Sequence, residues 1–175
     1  SLHALILKMV ESTVPILVAV RGQCLGGGLE VAAAGHLIFA APGAMLGQPE
    51  VKLAVFAPAA SCLLPAKIGQ ALAEDLLFSG RSIGAEEAHR LGLVNVVAED
   101  PELAALSYFT DYLAPLSASS LRFAVKAARL TVNESIKSKL AAVEKKYLEE
   151  LMASHDAVEG LTAFIAKRPA VWEEC

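Results

Sequence analysis

Residues 15–30 read PILVAVRGQCLGGGLE, and the expected fold follows from the order of residue types in this stretch. Pro15 opens an apolar, largely β-branched run from Ile16 to Val20, which is typical of a buried strand. A glycine-rich turn from Gly22 to Gly28 follows, and we expect a short apolar helix from Leu29 to Ala34. The order of strand, turn and helix predicts an α/β protein in which a ligand approaches the backbone closely.

The glycine turn does not fit the nucleotide-binding motifs. A P-loop requires Lys-Ser or Lys-Thr after its second glycine, whereas Gly28 and Leu29 follow Gly27, and GxGxxG is absent. The consecutive glycines Gly26 to Gly28 instead leave N–H groups bare at a helix start, where such donors stabilise an anion or a developing oxyanion. The alternative is a tight turn that needs positive φ.

Two carboxylates stand in an apolar part of the chain. Between Thr13 and Ala66 the full charges are Arg21, Glu30, Glu50 and Lys52. Charges in such surroundings are unfavourable unless they are paired or used in chemistry. Two carboxylates near one water can divide acid and base work. The alternatives are that Glu30 only complements the helix dipole and that Glu50 is an ordinary loop acid. Spacing leaves open whether they meet.

The remaining pattern predicts a core of strands and helices followed by a helical tail. We expect two regions, residues 1–99 and 100–175, with the boundary near Glu99 to Pro101. The expected elements are a helix from Leu2 to Glu11, a strand from Leu37 to Ala41, an extended piece from Ala44 to Leu46, a loop from Gly47 to Glu50, one or two helical turns at Ser61 to Leu64, helices at Ala71 to Phe78 and Ala85 to Leu91, a strand from Leu93 to Val97, and four or five further helices with starts near Pro101, Ser117 and Ser154.

Composition excludes several classes of function. The chain is 55% hydrophobic with a net charge of −4, which argues against a nucleic-acid partner. Three scattered cysteines indicate a reducing, cytoplasmic setting and no disulfide framework, and the four histidines lack metal-ligand spacing. The uncharged stretch from Val31 to Gln48 contains Gly35 and Pro42, so we predict no membrane span.

Several blocks of the sequence resemble the enoyl-CoA hydratase/isomerase (crotonase) family. The stretch from Pro15 to Glu30 is similar to its signature, and Leu46-Gly47-Gln48-Pro49-Glu50 to its second motif. A third block runs from Gly80 to Val94, and Glu159 to Arg168 resembles the C-terminal helix. The blocks cover essentially the whole chain in the family's order, which is more specific than any single motif.

The resemblance implies an α/β fold, a crotonase-like spiral of ββα units with a C-terminal helical trimerisation region. Gly27 falls where the family's N–H donates to the thioester carbonyl, with Leu25 and Gly26 beside it in the substrate site. Glu30 and Glu50 fall on the two catalytic glutamates, of which the first is usually credited with activating water and the second with proton exchange at Cα. Coenzyme A is part of the substrate, so no separate cofactor and no metal are implied.

Further contacts and partners follow from the same resemblance. Phe164 and Lys167 fall on a helix that can reach coenzyme A, sometimes across a subunit boundary, although core packing and a solvated charge are the simpler interpretation. Self-association as a trimer or a dimer of trimers is implied. Family members keeping both glutamates are usually hydratases, so a hydratase is favoured over an isomerase of the same fold. A non-catalytic oligomerising fragment is the alternative from another class.

The sequence also departs from the family pattern. Ser1 begins inside a helical pattern, and the upstream Ala-Gly-x-Asp-like segment that gives the family's other oxyanion donor is missing, so we expect that an N-terminal portion is absent. His36 stands where many members have Asp. The apolar run from Val55 to Ser61 resembles the members that hydrate cyclohexa-1,5-diene-1-carbonyl-CoA in anaerobic aromatic degradation. A pocket walled by Phe56 and Pro58 would suit that ring.

Overall fold

The computed structural model describes residues Leu2 to Glu173. Its helices are α1 (Leu2–Val10), α2 (Gly27–Ala34), α3 (Pro58–Ile68), α4 (Gln70–Ser79), α5 (Ala85–Arg90), α6 (Pro101–Tyr108), α7 (Ala118–Lys145) and α8 (His155–Ile165). Its strands are β1 (Leu17–Val20), β2 (Gln23–Leu25), β3 (Leu37–Ala40), β4 (Met45–Gly47), β5 (Ser82–Gly84) and β6 (Val96–Val97). Short 3₁₀ turns cover Pro49–Leu53 and Leu151–Ala153, and π-helical turns cover Phe109–Leu113 and Lys146–Glu150.

The strands form two small sheets, and the first four strands alternate between them. One sheet has the order β1-β3-β6 and is parallel throughout. The other has the order β2-β4-β5, in which β2 and β4 are parallel and β5 is antiparallel to β4. Because β1 and β3 enter one sheet while β2 and β4 enter the other, each strand pair with its following helix adds one turn to a spiral. The expected α/β spiral of ββα units is confirmed.

Helix α2 is the central element of the core. Leu29, Ala32, Ala33 and Ala34 are at most 2% exposed, so the helix is enclosed by its neighbours. Alanine keeps the side-chain layer thin, and α1 and α3 both pack directly on α2. The residues that begin α2 are therefore held in position from several sides.

Several predicted boundaries were wrong because short strands depend on distant partners. The expected turn from Gly22 to Gly28 contains β2, which is fixed by pairing with β4, and α2 begins at Gly27 rather than Leu29. Strand β5 was not predicted at all. The strand expected from Leu93 to Val97 is reduced to Val96 and Val97, which pair with β3. The one or two turns expected at Ser61 to Leu64 are the middle of α3.

The predicted starts of the C-terminal helices are confirmed by their caps. The side chains of Asp100, Ser117 and Ser154 accept hydrogen bonds from the backbone N–H groups of Leu103, Ser120 and Ala157, respectively. These caps satisfy N–H groups that have no partner inside the helix, which fixes where α6, α7 and α8 begin.

The helical tail shares the core with the sheets. Ile136 and Leu140 of α7 are 3% and 2% exposed and join the main hydrophobic cluster, where α7 packs on α3. The division into residues 1–99 and 100–175 remains a prediction. No helix between residues 2 and 173 combines the length and the apolar composition that a bilayer span requires.

Helix α8 touches the loop that follows β4 at one closely packed point. A Cβ built on Gly160 would overlap the carbonyl oxygen of Leu53 and would lie 2.7 Å from its carbonyl carbon. Both atoms belong to backbone, which cannot move aside as a flexible side chain would. Glycine at this position therefore lets α8 pack against the 3₁₀ turn Pro49–Leu53.

We predict that Gly160→Ala lowers the free energy of unfolding by about 1–3 kcal/mol, because overpacking outweighs the gain in helix propensity. Gly28→Ala is the matched control, since a Cβ there meets nothing within 4 Å. Urea denaturation followed by circular dichroism measures both. Equal or greater stability of Gly160→Ala would contradict the close contact.

Candidate functional site

The glycine turn is bonded to the loop that follows β4. The Gly26 N–H donates to the carbonyl of Gly47 at 3.0 Å, and the buried Gln48 side chain donates through Nε2 to the carbonyl of Gly26 at 3.3 Å. Gly26 has φ 55° and ψ −127°, a conformation that essentially only glycine adopts. The parallel pairing of β2 and β4 thus continues past the strands and joins the two predicted motifs.

The first N–H groups of α2 are available to a ligand. Gly27 and Gly28 begin the helix, so their N–H groups have no acceptor in a preceding turn, and the hydrogen bonds of residues 2–173 provide none. The side chain of Leu2 lies over the turn, since its Cδ2 would be 3.2 Å from a Cβ on Gly27. The expected bare donor at Gly27 is present at the positive end of the α2 dipole.

Glu30 is fixed by the helix that faces it. The side chain is 4% exposed, and its Oε1 accepts a hydrogen bond of 2.9 Å from the backbone N–H of Ala60. Ala60 lies in the first turn of α3, where bare N–H groups and the helix dipole favour a negative charge. Glu30 therefore points across to α3, and its other oxygen, Oε2, makes no hydrogen bond to the described part of the chain.

Glu50 approaches the glycine turn from the other side. It lies in the 3₁₀ turn Pro49–Leu53, and its Oε1 would be only 2.8 Å from a Cβ on Gly26. Its Oε2 is buried and has no hydrogen-bond partner among residues 2–173. Burial raises the pKa of Glu50, its own backbone N–H partly offsets this, and the negative charge of Glu30 raises the pKa further. The two glutamates are therefore close enough to interact electrostatically.

One cavity brings the two glutamates and the bare N–H together. It has a volume of about 360 Å³ and is lined by Leu2, His3, Gly27, Glu30, Glu50, Phe56, Ala57, Pro58, Glu144, Tyr147 and Leu148. Five predicted site residues line it, namely Gly27, Glu30, Glu50, Phe56 and Pro58. Gly26 lies against Glu50 without lining the cavity, and Leu25 is half-buried at the end of β2.

The two residues predicted on the C-terminal helix lie elsewhere. Phe164 is 65% exposed on α8, and Lys167 follows the end of that helix with φ 52°. Neither residue lines the cavity that contains Glu30 and Glu50. Their assignment to coenzyme A stays a prediction, which requires either an adjoining surface or a second subunit.

Tyr147 is a residue of the cavity wall that sequence reasoning missed. This residue lies in a π-helical turn after α7, far from the glutamates along the chain, yet its ring packs edge-on to Phe56 with centroids 5.4 Å apart. Burial raises the pKa of the Tyr147 phenol, and the charges of Glu50 and Glu30 raise it further. Only the packing of the helical tail against the core reveals that Tyr147 faces both carboxylates.

A second cavity adjoins the first through Phe56. It has a volume of about 310 Å³, and Glu50, Phe56 and Ala57 line both cavities. The walls of the second cavity include Val51, Leu77 and Phe78, which makes this space largely apolar. Glu50 therefore stands between two spaces that a bound molecule could occupy.

Cys24 and Cys62 are packing residues rather than nucleophiles. Both are buried and free, and burial raises the pKa of each thiol to about 11, so the reactive thiolate is disfavoured. The Nδ1 atom of His36 accepts the Ile16 N–H at 2.9 Å, so this nitrogen is not free to act as a base for either thiol. No group of three or more His, Cys, Asp or Glu side chains in the described part of the chain could hold a metal ion.

Known proteins match this chain along almost its whole length. A family model described as enoyl-CoA hydratase/isomerase matches residues 1–175. A cyclohexa-1,5-dienecarbonyl-CoA hydratase of Thauera aromatica is 69% identical over 173 residues, which cover 99% of this chain and 67% of that protein. A carnitinyl-CoA dehydratase of Escherichia coli O157:H7 is 34% identical over 165 residues, which cover 91% of this chain and 63% of that protein.

The same relationship is seen among solved structures. The crystal structure of an enoyl-CoA hydratase/isomerase from Pseudoalteromonas atlantica T6c superposes with a TM-score of 0.84 at 31% identity, covering 95% of this chain and 68% of that one. A carnitinyl-CoA hydratase from Mycobacterium avium gives a TM-score of 0.83 at 30% identity, covering 92% and 63%. The chain spans about two thirds of the length of these relatives. By fold, by sequence and by the order of its motifs, the chain belongs to the enoyl-CoA hydratase/isomerase family.

Proposed function

We propose that the protein adds water to an unsaturated acyl-CoA thioester, and that the substrate is cyclohexa-1,5-diene-1-carbonyl-CoA from anaerobic aromatic degradation. The observation that carries the proposal is the convergence of the Gly27 N–H, Glu30 and Glu50 on one cavity. The name of the Thauera aromatica relative supports the choice of substrate.

The Gly27 N–H acts on the thioester carbonyl. Addition of water to a double bond conjugated with the thioester moves negative charge onto the carbonyl oxygen. A hydrogen-bond donor at the positive end of α2 stabilises that charge more in the transition state than in the substrate, and this difference accelerates the reaction. Gly26 and Gly28 keep side chains away from the donor, so the carbonyl can reach it.

The two glutamates divide the proton transfers. The Ala60 N–H stabilises the carboxylate of Glu30, which takes a proton from water as the oxygen adds to the unsaturated carbon. Glu50 delivers a proton to the carbon chain, and its raised pKa suits a group that must carry a proton before it acts. Each turnover consumes one water molecule: its O–H group adds to one carbon, and Glu50 supplies the hydrogen that adds to another. Transfer of the proton from Glu30 to Glu50 then restores both carboxyl groups for the next turnover.

The aromatic wall of the cavity supports a substrate whose acyl group is a ring. Phe56 and Tyr147 meet edge-on, and Pro58 continues the wall beside Glu30. A planar ring gains more contact against such a surface than a short linear chain does. These residues are proposed to bind the acyl part, while Phe164 and Lys167 remain candidates for contact with coenzyme A.

The cofactor and assembly proposals follow from the family. Coenzyme A enters as part of the substrate, and no further cofactor is proposed. Self-association as a trimer or dimer of trimers is supported by large exposed apolar side chains on α6 and α7, among them Leu103, Leu106, Phe123 and Leu130. A cytoplasmic location is proposed from the scattered cysteines.

We predict that Glu30→Gln lowers kcat/KM for water addition by at least about 100-fold, the usual range for loss of a general base. Chromatography of the CoA thioesters measures the rate with cyclohexadienoyl-CoA and with crotonyl-CoA. The control is Glu134→Gln on the exposed face of α7, which should leave the rate unchanged.

The same variant separates the hydratase from an isomerase. An isomerase that works through Glu50 alone would keep its turnover in Glu30→Gln. Suppose that the Glu30→Gln variant still moves the double bond and that the unaltered protein adds no water. The protein would then be an isomerase and not a hydratase.

We predict that Glu30→Gln also lowers the pKa of Glu50, because the negative charge of Glu30 is one of the causes that raise it. Burial is the larger cause and remains, so the pKa should stay above the ordinary carboxyl range. Carbon-13 NMR of the Glu50 carboxyl across the pH range measures the change, with Glu134→Gln as the reference. An unchanged pKa would place the two carboxylates too far apart to share one water.

We predict that Phe56→Leu lowers the preference for cyclohexadienoyl-CoA over crotonyl-CoA by about 2- to 10-fold, which corresponds to the ~0.5–1.5 kcal/mol of an aromatic contact. The ratio of the two kcat/KM values is the measurement. Phe109→Leu, a substitution of a 47% exposed phenylalanine in the π-helical turn after α6, is the control. An equal fall in kcat/KM for both substrates would show that Phe56 does not select for the ring.

A further inference from the structure

A separate cavity lies at the C-terminal end of α2. It has a volume of about 270 Å³, and its polar lining residues are His36, Lys67, Asn95 and Arg129. The remaining lining residues are apolar or glycine, namely Ala33, Leu63, Ala66, Gly92, Leu93, Ala128, Val132 and Ile136. No acidic side chain among residues 2–173 lines this cavity. None of its residues lines the cavity of Glu30 and Glu50, which adjoins the opposite end of α2.

Two cations face this cavity without a carboxylate. Lys67 Nζ donates to the carbonyl of His36 at 3.4 Å, and the Arg129 guanidinium donates to the carbonyls of Ala34 and Gly35 at 3.4 and 3.3 Å. Neither forms an ion pair within residues 2–173. These long bonds to helix-end carbonyls leave two positive charges uncompensated in a half-buried place.

Burial of these two positive charges lowers the pKa of both groups. Burial and the neighbouring Arg129 lower the pKa of Lys67 to about 8. Burial also lowers the pKa of Arg129. A group whose charged form is disfavoured in this way gains when an anion binds beside it.

The two neutral polar side chains offer donors as well. His36 Nδ1 accepts the Ile16 N–H, so the neutral imidazole carries its proton on Nε2, and that atom is buried without a partner in the described part of the chain. Asn95 Oδ1 accepts the Ile38 N–H at 2.7 Å, which leaves its amide N–H groups as donors. Backbone N–H groups therefore occupy both acceptors, and four side chains present only donors to the cavity.

We propose that this cavity binds a small organic carboxylate. The carboxylate oxygens accept from Arg129, Lys67 and the Nε2–H of His36, since a planar carboxylate matches the fork of a guanidinium. The hydrocarbon body packs on the apolar wall formed by Leu63, Val132 and Ile136. That wall favours a carboxylate over inorganic phosphate, which has no apolar part. The site is distinct from the thioester cavity and does not depend on the proposed hydratase activity.

Butyrate and inorganic phosphate are the probes, and isothermal titration calorimetry measures their binding. We expect saturable butyrate binding that weakens at least tenfold in Lys67→Met and in Arg129→Met, whereas phosphate binds more weakly than butyrate. Lys126→Met is the matched control, because this exposed lysine of α7 does not line the cavity and should leave binding unchanged.

A further variant tests the site while keeping the contacts of Lys67 and Arg129 with the backbone carbonyls, which the Met variants remove. Ala128→Leu places a larger side chain at the exposed edge of the cavity without removing a donor, and it should block butyrate while the circular dichroism spectrum is kept. In NMR titrations, butyrate should raise the pKa of His36 above its value of about 4, since a nearby negative charge favours the imidazolium.

Three outcomes would overturn the assignment. Absence of saturable butyrate binding would exclude the site. Butyrate binding of unchanged strength in Lys67→Met, Arg129→Met and Ala128→Leu would place the ligand elsewhere. Tighter binding of phosphate than of butyrate would show that the cavity binds oxyanions in general and does not select a carboxylate.

Discussion

The contact between the glycine turn and the loop after β4 is the constraint on which the site depends. Parallel pairing of β2 with β4 sets the two segments side by side, and the Gly26 N–H bond to the carbonyl of Gly47 extends that pairing one residue past the end of β2. Any side chain at Gly26 would collide with Glu50 Oε1 and would also be strained at φ 55°. One glycine therefore lets a carboxylate reach the start of a helix whose N–H groups are bare.

The two ends of α2 lie beside groups of opposite charge. Its N-terminus offers the Gly27 N–H to an oxyanion, with Glu30 and Glu50 beside it. At its C-terminal end, Arg129 donates to the carbonyls of Ala34 and Gly35, and Lys67 donates to the carbonyl of His36 just beyond the helix. The dipole of the helix favours this distribution, because negative charge is stabilised near the N-terminus and positive charge near the C-terminus. A thin layer of alanines lets the neighbouring elements bring those side chains close to the helix axis.

Isolated charges in apolar sequence were the most informative sign of chemistry. Glu30 and Glu50 were singled out because burial of an unpaired carboxylate is unfavourable, and the structure places both at one cavity, with the pKa of Glu50 raised. The same logic did not identify Lys67 or Arg129, since each stands in a helical segment that reads as partly solvated. Tyr147 was not predicted as a site residue for a similar reason, because nothing in the sequence of a charged helix shows that one aromatic residue in it faces a cavity.

Four features of the fold can be predicted from the chain: the strand before the glycines, the helix after them, the capped starts of α6 to α8, and the α/β spiral through resemblance of its motifs. The local elements depend on neighbouring residues, namely on glycine conformation, helix caps and apolar periodicity. Which distant residues meet at the site depends on the assembled fold. The pairing of β2 with β4, the approach of Ala60 to Glu30 and the packing of Tyr147 on Phe56 join residues far apart in sequence, and such contacts form only when the whole core is assembled.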